Sequence, residues 1–185
     1  MPSATPELPS PWREFLLEVD ALLQEPVEVH CLGGFVVTLL YGLTRTTSDV
    51  DYIEISPAGA DQTLQGIAGP DSHLHKKFGL YFQHVTVASL PESYDERLIE
   101  PFPNRFQMLR LLVVEPHDLA LSKLSRNAPI DQADVEYLAR TVPLSADLLR
   151  QRYEQELRPG PLMGDPEKHD RTLRMWLEAY IRPDP

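Results

Sequence analysis

The segment that decides the fold spans residues 31–51 and reads CLGGFVVTLLYGLTRTTSDVD. It begins at the end of an apolar, β-branched run, Val27–Leu32, which predicts a strand. It then passes through Gly33 and Gly34 into a second apolar run, Phe35–Tyr41. Glycine lets the backbone turn sharply and approach a ligand closely. We therefore predict a strand, a glycine turn and a short buried helix that ends at Gly42.

Two carboxylates, Asp49 and Asp51, close this segment and begin a run of strand-forming residues. Side chains two apart on a strand project from one face, with Cα atoms roughly 6.5–7 Å apart. Both carboxylates can then reach one divalent ion or bracket two. The glycine turn adds a helix N-terminus, whose N–H groups attract phosphate. Each part alone is commonly a turn or a solvated strand end, but together they supply what phosphoryl transfer needs.

With Arg45 and Thr47 between the glycines and the acids, the segment resembles the signature of the nucleotidyltransferase superfamily. In that signature a Gly-Gly or Gly-Ser turn and a short helix precede an Arg-x-Thr-x-Asp-x-Asp-like strand. The resemblance implies transfer of a nucleoside monophosphate from an NTP with Mg²⁺ as cofactor. It also implies that Asp49 and Asp51 are the catalytic metal ligands. The residues that would contact the triphosphate are Gly33, Gly34, Arg45 and Ser48.

A later stretch, Pro116–Arg126 followed by Asp131-Gln-Ala-Asp134, resembles a second pattern. That pattern is found in an uncharacterised nucleotidyltransferase-like branch related to abortive-infection type toxins. The resemblance implies that Lys123 contacts the phosphates, and that Asp131 or Asp134 supports the lysine, the metal or a catalytic proton transfer. The residues alone allow another interpretation, because acids three apart share one helix face and can join two helices through a salt bridge to Lys123. Both interpretations of the two acids stay open.

Two departures from the signature bear on activity. The strand after the two acids contains no carboxylate, and Thr86 takes the position that we expect for it. Gly34 stands where active members often have serine. Both departures weaken the case for catalysis but not the case for the fold.

The sequence leaves three hypotheses. The first is an active, toxin-like transferase whose acceptor is a tRNA, a protein or a small molecule. The second is a degenerate nucleotide-binding or regulatory module of a toxin–antitoxin system, with an antitoxin as partner. A third is an unrelated α+β protein in which the two acids are solvated.

The rest of the chain predicts an α+β fold, with a mixed sheet, flanking helices and a helical C-terminal half. We expect a flexible tail over 1–10, an α/β core over 11–115 and a helical part over 116–185. Predicted helices cover 12–24, 35–41, 61–68, 71–78, 116–126, 131–141, 145–157 and 165–181. Predicted strands cover 27–32, 49–55, 80–88, 97–100 and 108–115.

Composition narrows the function classes. The 185 residues carry a formal net charge of −11, which argues against broad DNA binding and against membrane binding. The single cysteine, Cys31, lies in an apolar run, so no disulfide can form within the chain. Residues 1–10 lack the features of a signal peptide. These observations predict a cytoplasmic protein. The pairs His73/His75 and Lys76/Lys77 are interpreted as solvated surface charge.

Overall fold

The structure is a computed structural model and describes residues 7–160 and 164–181. Residues 1–6 of the predicted tail lie outside this part of the chain. The helices are α1 Trp12–Leu22, α2 Gly33–Tyr41, α3 Ala60–Ala68, α4 His73–Phe78, α5 Pro116–Leu121, α6 Pro129–Thr141, α7 Ala146–Arg152 and α8 Pro166–Ala179. The strands are β1 Val27–Leu32, β2 Asp49–Ser56, β3 Tyr81–His84 and β4 Leu109–Val113.

The strands form one mixed sheet in the order β3-β2-β1-β4. The two central strands, β1 and β2, pair antiparallel, with a register shift between His30 and Cys31. Both outer pairs are parallel, β2 with β3 and β1 with β4. The α+β class, the mixed sheet and the helical C-terminal half are therefore confirmed.

Strand alternation decides which side chains of β2 enter the core. Val50 and Tyr52 are buried, and so is Phe82 on β3. Phe15 of α1 stacks on Phe82 with ring centroids 5.9 Å apart, so this face of the sheet is covered by an aromatic core. Because successive side chains of a strand point to opposite faces, Asp49 and Asp51 project from the face opposite this core and are partly exposed.

The chain divides into two compact units, which are described separately. Unit 1 contains Met1–Thr86 and Leu98–Val113, and unit 2 contains Val87–Arg97 and Val114–Pro185. Unit 1 holds the sheet with α1 to α4, and unit 2 holds α5 to α8. Arg97 connects the short segment Val87–Arg97 to the rest of unit 2. Its Nε lies 2.8 Å from Asp118 Oδ2, and its Nη2 lies 2.7 Å from Glu156 Oε2. The division that we predicted at 115/116 instead places Val87–Arg97 in the same part of the chain as the sheet.

Two predicted strands differ from the structure. The strand predicted over 97–100 is wrong, because only Ile99 bridges to Val113 and Tyr94–Arg97 forms a 3-10 turn. Pro101 and Pro103 follow and have no N–H to extend the pairing. The strand predicted over 80–88 ends at His84, after which the chain leaves the sheet for unit 2.

Two helices of unit 2 end in irregular turns. Helix α5 stops at Leu121 rather than at Arg126, and tighter hydrogen bonds follow, from Lys123 N to Ala120 O and from Leu124 N to Leu121 O. Helix α7 continues as a π-helical turn over Tyr153–Leu157.

Two further expectations concern Cys31 and membranes. Cys31 is a free thiol with no exposed surface, and burial raises its pKa far above the ordinary value. That pKa fits the inert thiol expected from its apolar surroundings. No helix in the described ranges is long and apolar enough to cross a bilayer.

Candidate functional site

The first glycine of the pair forms the junction between β1 and α2. Gly33 has φ +76°, in the left-handed region that favours glycine, and it is the first residue of α2. A Cβ built on Gly33 would lie 2.3 Å from Asp51 Oδ2. The carboxylate of Asp51 therefore lies directly against the N-terminus of α2, and only glycine permits that approach.

The second glycine makes room for a cation. A Cβ built on Gly34 would lie 2.7 Å from Arg45 Nη2 and 3.3 Å from Thr47 Oγ1. The guanidinium of Arg45 therefore covers the second residue of α2, in the space that a serine side chain would occupy. An arginine beside the positive end of a helix favours anionic ligands.

The first acid of the pair, Asp49, is held by a neighbour in the sequence. Thr47 Oγ1 donates a hydrogen bond to Asp49 Oδ1 over 2.9 Å, which orients that carboxylate. Asp49 and Asp51 are both partly exposed, on the face of β2 opposite the core. The structure thus brings the glycine pair, Arg45, Ser48 and both acids together in unit 1.

These acids fit a divalent metal ion through the chemistry of their donors. Mg²⁺ prefers hard oxygen ligands, keeps several waters and is usually bound by one or two carboxylates together with substrate phosphates. Asp49 and Asp51 supply two such carboxylates on one strand face. Within residues 7–160 and 164–181, no three His, Cys, Asp or Glu side chains converge as a metal-binding group.

The parallel register of β2 and β3 determines the neighbours of the two acids. Asp49 pairs with Tyr81, and Asp51 pairs with Gln83. The residue beside Asp51 is therefore Gln83. Thr86, which we expected at the position of the third acid, lies beyond the end of β3. Tyr81 is a site residue that the sequence did not reveal, because strand register depends on tertiary pairing.

Tyr81 also contacts the start of β2. Its backbone N–H donates a hydrogen bond to Ser48 O over 3.0 Å. Burial raises the pKa of Tyr81, and the charges of Asp49 and Asp51 raise it further. The phenol therefore stays protonated and lies close enough to both acids to sense their charge.

The remaining candidates lie together in unit 2. Lys123 Nζ is 2.8 Å from Asp134 Oδ2 and 3.8 Å from Asp131 Oδ1. All three side chains are buried, with Lys123 only 6% exposed. Arg126 donates to both oxygens of Asp131 over 2.7 Å each. Burial alone would raise the pKa of Asp131, but the hydrogen bonds from Arg126 and Ala128 N and the charge of Lys123 lower it.

A second ionic cluster of unit 2 has no signal in the sequence. Asp118 has no exposed surface and lies between Arg97 Nε at 2.8 Å and Arg152 Nη1 at 2.9 Å. Glu115 bonds Arg152 and also accepts from Asp118 N over 2.9 Å. Burial raises the pKa of Asp118, whereas Glu115 has its pKa lowered to about 2. These residues come from separate elements, so only the folded chain brings them together.

The profile of one protein family, described as nucleotidyltransferase of unknown function (DUF6036), matches residues 14–180. That span includes every candidate site residue of both units. It confirms the nucleotidyltransferase resemblance that residues 31–51 suggested, while the relation to abortive-infection type toxins stays a prediction. The chain matches no curated protein and no solved structure at significant similarity.

Proposed function

Because the chain belongs to this family of nucleotidyltransferases, we propose that it moves a nucleoside monophosphate from an NTP to an acceptor with Mg²⁺ as cofactor. One observation supports this most strongly. The carboxylate of Asp51 lies against Gly33 at the N-terminus of α2, and Arg45 covers Gly34. Metal-binding and anion-binding groups thus meet at one end of β2.

In this proposal Asp49 and Asp51 would hold the metal ion, whose charge would offset that of the phosphates. Thr47 restricts the Asp49 carboxylate to one orientation through its 2.9 Å hydrogen bond. A preoriented carboxylate loses less side-chain entropy when a cation binds. Thr47 therefore acts as a positioning residue.

The triphosphate lies along the N-terminus of α2. Backbone N–H groups at Gly33 and Gly34 face it, and Arg45 and the exposed Ser48 hydroxyl provide further donors. The acceptor oxygen attacks the α-phosphorus, the bond to the bridging oxygen breaks, and pyrophosphate leaves with the electron pair. The acceptor proton passes to solvent.

The net charge of −11 favours a protein or small-molecule acceptor, while tRNA would need a local basic surface. A toxin-like role with an antitoxin partner is part of the proposal only through the resemblance.

For Lys123, Asp131 and Asp134, burial and direct pairing support the ion-pair interpretation, so we assign them to the stability of unit 2. The phosphate-binding role of Lys123 stays a prediction.

A second function, nucleotide binding without transfer, is favoured by one observation. The residue paired with Asp51 across the sheet is Gln83, whose amide cannot accept a proton as a carboxylate does. A site of this kind could sense a nucleotide and regulate a partner.

Label transfer tests both functions. Each of the four α-labelled NTPs is incubated with Mg²⁺ and with total tRNA, cell protein or small metabolites as acceptors. The wild-type chain is compared with Asp49→Asn/Asp51→Asn and with Glu54→Gln, which changes an exposed acid on the same strand. We expect transfer that the double substitution lowers at least about 100-fold and that Glu54→Gln leaves unchanged.

Mg²⁺-dependent NTP binding without any labelled product would favour the regulatory module. Transfer that survives the double substitution would refute the assignment of Asp49 and Asp51.

A further inference from the structure

Tyr81 lies on the opposite side of β2 from the glycine turn. The sheet order β3-β2-β1 puts the two acids of β2 between α2, which follows β1, and Tyr81 on β3. Neighbouring strands lie about 4.8 Å apart, so Tyr81 stands one strand away from Asp49, its partner in the register. One side of the acid pair therefore carries anion-binding groups and the other carries an aromatic ring.

The ring of Tyr81 is supported from α4. His75 packs on it with ring centroids 4.7 Å apart and an interplanar angle of 52°. His75 is itself fixed, because its Nδ1 accepts a hydrogen bond from Asp71 N over 2.9 Å. This bond holds the imidazole ring of His75 in one orientation against Tyr81.

The backbone of Tyr81 is also fixed. Its N–H donates a hydrogen bond to Ser48 O over 3.0 Å, and the residue pairs with Asp49 in the register of β2 and β3. The backbone and the ring of Tyr81 are thus both supported, while the residue remains partly exposed. A rigid, partly exposed aromatic ring loses little entropy when a flat ligand stacks on it.

A nucleoside triphosphate has the same polarity as this surface, with phosphates at one end and a flat base at the other. We propose, on the basis of the function proposed above, that the nucleobase stacks on Tyr81, backed by His75, while the triphosphate lies against α2 and Arg45. Tyr81 is then the residue by which the site distinguishes a nucleotide from a bare polyphosphate. Stacking accepts any base, so all four NTPs bind with modest differences.

Calorimetric titration with two ligands tests this assignment. ATP carries a base, whereas inorganic tripolyphosphate carries only the phosphate chain, and both are titrated with Mg²⁺ present. We expect Tyr81→Leu to weaken ATP binding roughly 10- to 100-fold and to leave tripolyphosphate binding unchanged. Tyr81→Phe keeps the ring, so its ATP affinity should stay within about 3-fold of the wild type.

Two further variants keep the outcomes distinct. Arg45→Met should weaken both ligands, because it changes the phosphate end. His75→Leu should weaken ATP alone and less than Tyr81→Leu, and it serves if Tyr81→Leu fails to fold by circular dichroism. If Tyr81→Leu binds ATP as tightly as the wild type does, and both ligands still bind in a Mg²⁺-dependent way, the stacking inference is overturned. The proposed function would then still stand. A wild-type chain that binds neither ligand would overturn the proposed function together with it.

Discussion

Unit 1 and unit 2 each carry a pair of aspartates, and their surroundings are opposite. Asp49 and Asp51 lie on a strand face and are partly exposed. Their contacts include a threonine hydroxyl and the glycine backbone of α2. Asp131 and Asp134 lie on α6, are 1% exposed, and bond basic side chains of their own unit.

The difference separates acids that are buried and paired with basic side chains from acids that remain partly exposed. A buried charge is tolerated only when it is paired and hydrogen-bonded. Unit 2 meets that condition, since Lys123 bonds Asp134 and Arg126 bonds Asp131. The strand acids keep access to solvent, as the proposed metal site requires. The spacing of the aspartates in the sequence suggested a functional role for both pairs. The structure distinguishes the pairs, because one is partly exposed and the other is buried.

The largest effect on stability is expected from Asp134→Ala. The substitution leaves Lys123 buried with Asp131 Oδ1 at 3.8 Å as its acidic partner. Breaking a buried pair in this way lowers the free energy of unfolding by about 3–5 kcal/mol, as urea unfolding would measure. The double variant Lys123→Met/Asp134→Leu should recover most of that loss. A loss below about 1 kcal/mol would contradict the structural role and favour a functional one.

The next effect depends on pH and concerns Glu115. Burial alone would raise its pKa, but bonds from His117 and Asp118 N and the charge of Arg152 lower it from 4.5 to about 2. A lowered carboxyl pKa stabilises the folded state above pH 4.5, and this stabilisation is lost as the pH falls toward 2.

Glu115→Gln should therefore cost about 2–3 kcal/mol at pH 7 and much less near pH 2. Unfolding curves across this range measure the difference, with the exposed Glu167→Gln as control. A cost that does not change with pH would show that Glu115 acts through packing rather than charge.

A smaller effect is expected at the glycine turn. Gly33→Ala places a Cβ 2.3 Å from Asp51 Oδ2 at a φ of +76°, which should lower the free energy of unfolding by about 1–2 kcal/mol and displace the carboxylate. Gly34→Ala meets only the end of the Arg45 side chain, which can rotate away. Thermal melts and Mg²⁺–ATP titrations should therefore rank Gly33→Ala below Gly34→Ala in both stability and affinity. The reverse ranking would contradict the close approach of Asp51.

The smallest change in stability is expected from Asp51→Asn. Asparagine keeps the size and shape of this partly exposed side chain, so the free energy of unfolding should change by about 0.5 kcal/mol or less. The same substitution should abolish Mg²⁺-dependent nucleotide binding. If it destabilised the chain as much as Asp134→Ala, the contrast between the two pairs of aspartates would fail.

Local sequence was sufficient where neighbouring residues determine the structure. The run Val27–Leu32 forms the predicted strand, and Gly42 ends α2 in the left-handed conformation, as expected of a glycine there. The approach of Gly33 to Asp51 depends on the antiparallel pairing of β1 and β2, which aligns Leu32 with Asp51, and the sequence suggested it only through the family resemblance. Long-range pairing was not accessible in this way: the alignment of Asp51 with Gln83 depends on how β2 and β3 meet, and the partners of Arg97 lie 21 and 59 residues further along the chain.

The assignment of Val87–Arg97 to unit 2 means that the chain passes between the units at 86/87, 97/98 and 113/114. During synthesis the sheet cannot be completed when Thr86 emerges from the ribosome, because β4, the parallel neighbour of β1, is made later. Arg97, which holds Asp118, is made before α5 exists. A fragment that ends at Thr86 would lack an outer strand, and one that begins at Val114 would lack a guanidinium bonded to a buried carboxylate. Each unit therefore depends on residues from another part of the chain, and gene fragments cut at 86/87 or 113/114 should be less stable than the intact chain.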